Sequence, residues 1–196
     1  LILQLPAAQV LQLKLQDAAG KSDYRTSRLL ALYNKNGAAV SPFLQTGKFQ
    51  AVFSGALKLH KRSRVYFKFV GNGKAVLKID DQIVLENSGN DLAAVISKRL
   101  RLNPGEHSIV VEYESPAQGE AQIRLLWMGR DFAWEAVGPQ YLTHQASAEL
   151  QEAMLVRHGR ELTASLNCLK CHSAGSLDKD KAMPEALKDT PSLANA

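Results

Sequence analysis

Cysteine is scarce: the 196 residues contain only two. So few thiols exclude a disulfide framework as the source of stability, since small cross-linked domains are dense in cysteine. Aromatic residues are also sparse, at 7%, and no aromatic-basic motif accompanies the scattered lysines and arginines. Nucleic-acid binding is therefore only weakly supported and is not expected. No apolar run approaches the length of a bilayer, so no membrane span is expected. Phosphate-binding glycine loops, zincin histidine spacing and local Ser/His/Asp or Cys/His catalytic arrangements are all missing.

What is present belongs to an ordinary globular protein, with 45% hydrophobic and 22% charged residues. The length suits one large domain, or one domain of common size plus a fragment. Residues 1–148 carry 18 Lys+Arg against 12 Asp+Glu, while residues 149–196 carry 6 against 7, so the basic excess sits in the first part. Its local concentration, His60-Lys61-Arg62-Ser63-Arg64, reads as a solvated loop. The chain begins at Leu1, which predicts a processed or trimmed product. LILQLPAAQ could include the tail of an export signal, but the alternation of Val10 to Leu15 suits a first strand.

From about residue 8 to residue 143 the period is two, with turn signals at short intervals, the pattern of an antiparallel β-sandwich. Val65, Phe67 and Phe69 alternate with Tyr66 and Lys68; a turn at GNGK follows, then Ala75, Leu77 and Ile79. Asp80-Asp81-Gln82 makes a tight turn into Ile83-Val84-Leu85, so that residues 65–85 read as a hairpin meander. Pro104-Gly105 introduces Ile109, Val111 and Tyr113, and PAQG at 116–119 reverses the chain into Ile123, Leu125 and Trp127. In this order, Phe53-Ser54-Gly55-Ala56-Leu57, Val65 to Val70, Leu77-Lys78-Ile79-Asp80, Leu102 to His107 and Leu125-Leu126-Trp127 resemble the carbohydrate-associated β-sandwich family named after the anthrax protective antigen. The resemblance implies a sandwich over residues 1–145 that binds a polysaccharide, a cell-envelope component or a partner subunit.

After Pro139 the period changes. Leu150, Met154, Leu155, Leu162 and Leu166 recur at helical spacing, and Gly159 is expected to break or bend this stretch into two helices. It runs into Cys168-Leu169-Lys170-Cys171-His172, which uses both cysteines. Four readings compete for this C-x-x-C-H string: a redox disulfide, which lacks the surrounding βα pattern; a zinc site, short of ligands; two core thiols, which leave the histidine unexplained; and covalent haem attachment. The sequence favours the last, with Cys168 and Cys171 as thioether donors and His172 as proximal iron ligand. Gly159-Arg160-Glu161-Leu162, the helix into CLKCH, and Asp189-Thr190-Pro191-Ser192-Leu193 are similar to the amino-terminal part of a class I c-type cytochrome. That resemblance, over residues 146–196, stops before the family's distal ligand, and Met183 is not expected to supply one.

Asp80-Asp81 invites a calcium reading, because some sugar-binding members of the sandwich family hold that ion through consecutive aspartates. Ordinary turn chemistry is preferred. Trp127 is expected in the core, and Trp134 at the sandwich end or against the helical segment. The expected protein is thus mainly β, an antiparallel sandwich followed by a short α-helical cytochrome c-like segment. It is expected to be exported to the periplasm or cell surface, to carry covalent haem c, and to pass electrons to a redox partner protein without catalysis of its own, as a carrier or as the haem subunit of a larger oxidoreductase. The alternative is a carbohydrate-binding or adhesion module with a non-haem tail.

Overall fold

In the stretch LQLKLQD, residues 11, 13, 15 and 17 are buried and those between them half-buried. This strand, β1 (Leu11–Asp17), sets the rule for the rest of the sandwich: every second side chain enters one interior. The computed structural model describes residues 10–166. After β1 come β2 (Ser22–Ser27), β3 (Ala31–Asn34), β4 (Phe49–Leu59), β5 (Ser63–Gly71), β6 (Gly73–Ile79) and β7 (Gln82–Gly89). They are followed by β8 (Leu100–Leu102), β9 (Gly105–Glu114), β10 (Ala121–Gly129), β11 (Glu135–Ala136), β12 (Leu142–Thr143) and the helix α1 (Ala148–Ser165).

The larger sheet has the order β2-β1-β4-β9-β6-β7, with β12 also on β4; the smaller has β11-β10-β5-β8, with β3 also on β10. Phe53 and Leu77 from the larger sheet and Phe67, Phe69 and Leu125 from the smaller are fully buried members of one core. Full burial of each such side chain contributes roughly 1.5–3 kcal/mol.

β12 continues the line of β1 along the same edge of β4: Gln12 pairs with Ser54, and Thr143 with Ala56. Gly55 lies at this junction, where a Cβ would meet the Thr143 carbonyl oxygen at 2.4 Å and a Leu11 methyl at 2.5 Å. His144 Nδ1 lies 3.2 Å from the Val10 carbonyl, and the Ser147 N–H donates to Gln12 Oε1 at 3.2 Å. The first and last strands of the sandwich are therefore pinned end to end along β4.

The expected meander over residues 65–85 is corrected. Only β6 and β7 form a hairpin; β5 belongs to the other sheet, and the chain steps between sheets at Gly71-Asn72-Gly73. Gly71 has φ +132, and a Cβ there would sit 1.9 Å from the Gln122 carbonyl oxygen. Gly73, at φ +96, passes as closely over the Glu114 carbonyl, 2.5 Å from where its Cβ would be. Only glycine permits both the backbone conformation and the approach.

The chain divides into compact units at Ser147/Ala148. In the second, the expected helix break at Gly159 does not occur. α1 is one continuous helix of 18 residues, although an interior glycine costs about 1 kcal/mol relative to alanine. Its backbone hydrogen bonds outweigh that penalty, and the Thr163 hydroxyl adds a bond to the Gly159 carbonyl at 2.8 Å. Glu149 in its first turn complements the helix dipole. The fold class is corrected accordingly: among the described residues, two antiparallel sheets are followed by a single helix, not by a cytochrome c-like segment. Cys168, Cys171, His172, Met183 and the string 189–193 lie outside the described residues.

Phe67→Ala is expected to cost about 3–5 kcal/mol in urea denaturation, as for other large-to-small core changes. Gly71→Ala removes no buried side chain, yet it too is expected to lower the melting temperature; an unchanged value would contradict the close passage over Gln122.

Candidate functional site

The Asp17 carboxylate ends β1 facing inward, and three backbone donors converge on it. Oδ1 accepts from Ala19 N at 3.0 Å and Lys21 N at 2.9 Å, and Oδ2 accepts from Gln45 N at 3.1 Å. The Gln45 bond is the main cause holding this carboxyl below the usual aspartate range; burial opposes it, and the Lys21 and Ala19 bonds reinforce it. One side chain thus ties the β1–β2 turn to the loop that leads into β4. Nearby, Ser41 donates to Asp23 Oδ2 at 2.5 Å and accepts from Phe43 N at 3.3 Å, and Ser115 Oγ accepts from Phe49 N at 3.0 Å.

Above this framework lies an open cleft of about 290 Å³, lined by Gln16, Asp17, Gly20, Lys48, Gln50 and Glu114 among others. Phe49, also among the lining residues, is buried in the core and packs edge-on against Tyr113, with ring centroids 6.1 Å apart. Burial pushes the Tyr113 hydroxyl up to about 12. Lys48 pairs with Glu114, and that hydrogen-bonded ammonium keeps the Glu114 carboxyl below its ordinary value. Gln16 Nε2 donates to the Gly20 carbonyl at 3.0 Å. Amide, ammonium and ionised carboxylate groups side by side form a surface suited to hydrogen bonding with hydroxyl groups.

The Asp80-Asp81 pair sits at the opposite end of the larger sheet. Both residues have positive φ, 50° and 63°, the backbone of a tight hairpin turn that Asp tolerates better than most residues. Asp80 Oδ1 accepts from Ser108 N at 3.0 Å, and Oδ2 lies 2.6 Å from His107 Nδ1. His107 Nε2 lies 3.0 Å from the Asn103 carbonyl oxygen. Burial alone would lower the pKa of this imidazole, but the Asn103 carbonyl and the Asp80 carboxylate raise it above the ordinary 6.5. With an acceptor facing each nitrogen, only the imidazolium donates to both. Asp80 is a clasp between the β6–β7 turn and β9, and the preferred turn reading describes it.

Trp127 is buried against Phe132 and Tyr141, each with its ring centroid 5.0 Å away. Trp134 has the Lys68 ammonium 4.5 Å from its ring centroid. Sequence reasoning missed the Asp17 cleft altogether. The one legible signal was an aspartate at an inward position of an alternating strand, followed by Ala-Ala-Gly.

No family model matches the chain, and no curated protein matches it. Solved structures do. An anti-sigma factor domain-containing protein from Clostridium clariflavum superposes with a TM-score of 0.61 at 16% identity, covering 70% of this chain and 48% of that one. The chain thus spans about half the length of that relative. The PA14 sugar-binding domain from an RTX adhesin matches with a TM-score of 0.51 at 16% identity, over 71% of this chain and 100% of that chain. The epithelial adhesin 6 A domain from Candida glabrata, in complex with Galb1-3GlcNAc, matches with a TM-score of 0.52 at 9% identity, over 72% and 90%. These likenesses show the fold.

They also correct the expectation of a class I c-type cytochrome segment carrying covalent haem c. The similar structures are sandwich domains of anti-sigma factor and adhesin proteins, with no cytochrome among those described above. Among the described residues, no group of three or more His, Cys, Asp or Glu could hold a metal ion. A C-x-x-C-H string names ligands but specifies no pocket to enclose a porphyrin, so electron transfer through iron has no support in the fold. The donors expected of it, Cys168, Cys171 and His172, lie outside the described residues.

Because the folded-state pKa of His107 is raised, its contribution to stability is fully present below pH 6.5 and is lost as pH rises through that raised value. Melting temperature is expected to fall across that window, and His107→Gln should flatten the fall. A parent profile identical to that of the variant would contradict the clasp.

Proposed function

We propose that the sandwich is a glycan-recognition module of the adhesion type, acting outside the cytoplasm by binding rather than by catalysis. The observation that carries this reading is the likeness to a PA14 sugar-binding domain along the whole of that domain. An adhesin domain of similar fold, solved in complex with Galb1-3GlcNAc, supports it. The cleft beside Asp17 supplies the chemistry. Gln50 and Lys48 are exposed in its lining and Asp17 is fixed by three backbone donors, so the surface is organised before ligand arrives.

Binding is the favoured mode because Asp17 and Glu114 are both held ionised by fixed donors. Neither is poised to exchange protons near neutrality, as general acid–base work requires. The same architecture forms about half of an anti-sigma factor domain-containing protein, which fits a sandwich serving as the ligand-binding part of larger chains.

The full chain applied to an array of neutral and acidic glycans is expected to show saturable binding. Gln50→Ala and Lys48→Ala are expected to weaken binding of the best neutral glycan about tenfold, a loss of about 1.4 kcal/mol, without lowering the melting temperature. Folded protein that binds no glycan would refute the module, whereas intact binding by both variants would remove the cleft from it.

A further inference from the structure

The two outward faces of the sandwich carry charge in opposite ways. On the larger sheet lysines meet glutamates: Lys78–Glu112 at 2.6 Å, Lys74–Glu86 at 3.5 Å and Lys58–Glu106 at 3.9 Å. On the smaller sheet the outward positions of β5, β8 and β10 hold Arg64, Lys68, Arg101 and Arg124, and no Asp or Glu. Arg64 and Arg101 stand directly opposite each other in the β5–β8 ladder, both exposed. Arg124 pairs with Val70 across the β5–β10 ladder, one outward position beyond Lys68. None of the four forms an ion pair among the described residues.

Like charges directly opposite in a sheet are destabilising. The arginine pair therefore works against the fold, on a molecule whose other face shows that the same architecture accommodates matched charges. Neighbouring strands about 4.8 Å apart set Arg64 and Arg101 side by side, and Lys68 and Arg124 stand further along the same rigid face. Guanidinium groups bind planar carboxylates through paired hydrogen bonds, so an arginine pair with further cations beyond it fits a polymer bearing carboxylates along its length.

We propose that the outer face of the smaller sheet is a binding surface for an acidic, uronate-bearing polysaccharide, with Arg64 and Arg101 as its principal contacts and Lys68 and Arg124 extending it. The saccharide character rests on the glycan-recognition reading; the anionic character rests on this face alone. A nucleic acid fits less well, because single-stranded binding uses open aromatic faces for bases. Here Tyr66 is half-buried, and the Lys68 ammonium lies over the Trp134 ring.

The test is binding of the full chain to polygalacturonate, to the same polymer with its carboxylates methyl-esterified, and to double-stranded DNA. Polygalacturonate is expected to bind at least about tenfold more tightly than the esterified polymer, with affinity falling as salt is added. Arg64→Gln with Arg101→Gln should weaken that binding about tenfold while the melting temperature holds or rises, since a like-charge opposition is removed. Lys68→Gln should weaken it less, and Lys78→Gln on the other face should leave it unchanged. Equal binding of the esterified polymer, parent-like affinity of the double variant, or equal competition by DNA would overturn the proposal. Neutral glycans binding while polygalacturonate does not would overturn this inference alone; no saccharide binding at all would take the glycan reading with it.

Discussion

The structure depends on the interlocking of two inner faces. Phe53 and Leu77 project from one sheet, and Phe67, Phe69 and Leu125 from the other, all without access to water. Once those positions are committed to the interior, strand geometry sends their neighbours outward, and the chemistry available to the outer faces is fixed by what occupies the alternate positions. The larger sheet fills them with matched lysines and glutamates, while β5, β8 and β10 of the smaller fill them with cations and uncharged residues. The core therefore decides where each outward group stands, although it contacts none of them.

The two ends of the larger sheet show different uses of aspartate. Asp17 gathers backbone donors and organises loops around an open cleft, whereas Asp80 spends its oxygens on Ser108 and His107 and closes a hairpin against β9. Both are held by hydrogen bonds. The difference lies in what surrounds them: at Asp17 the neighbouring side chains leave a recess, and at Asp80 a partly buried imidazole occupies the equivalent space.

Strand existence was the most legible property of the sequence, because burial on one side and water on the other imposes a period of two that local composition records. Val65 to Val70, Ala75 to Ile79 and Ile109 to Tyr113 all lie within observed strands. Which sheet each strand joins was not legible. β5 and β6 alternate identically, and Gly71 and Gly73 read equally well as a hairpin turn or as a step between layers; the deciding contacts, with Gln122 and Glu114, are about 40 to 50 residues away. The helix illustrates the converse error. Gly159 has a local cost that suggested a break, but the hydrogen bonds on either side of it outweigh that cost. The haem reading rested on Cys168, Cys171 and His172, which name donors without specifying an enclosure and lie outside the described residues. The cleft at Asp17 draws on β1, β4 and β9 and has no contiguous signature to find.

The junction at Gly55, where β1 hands over to β12 along one edge of β4, fixes how this sandwich relates to any chain that contains it. Entry and exit lie within a few ångströms of one another, so the whole body hangs from its polypeptide by a single point of attachment. Such a body can be spliced into a surface loop of a host protein with little disturbance to the host's own path.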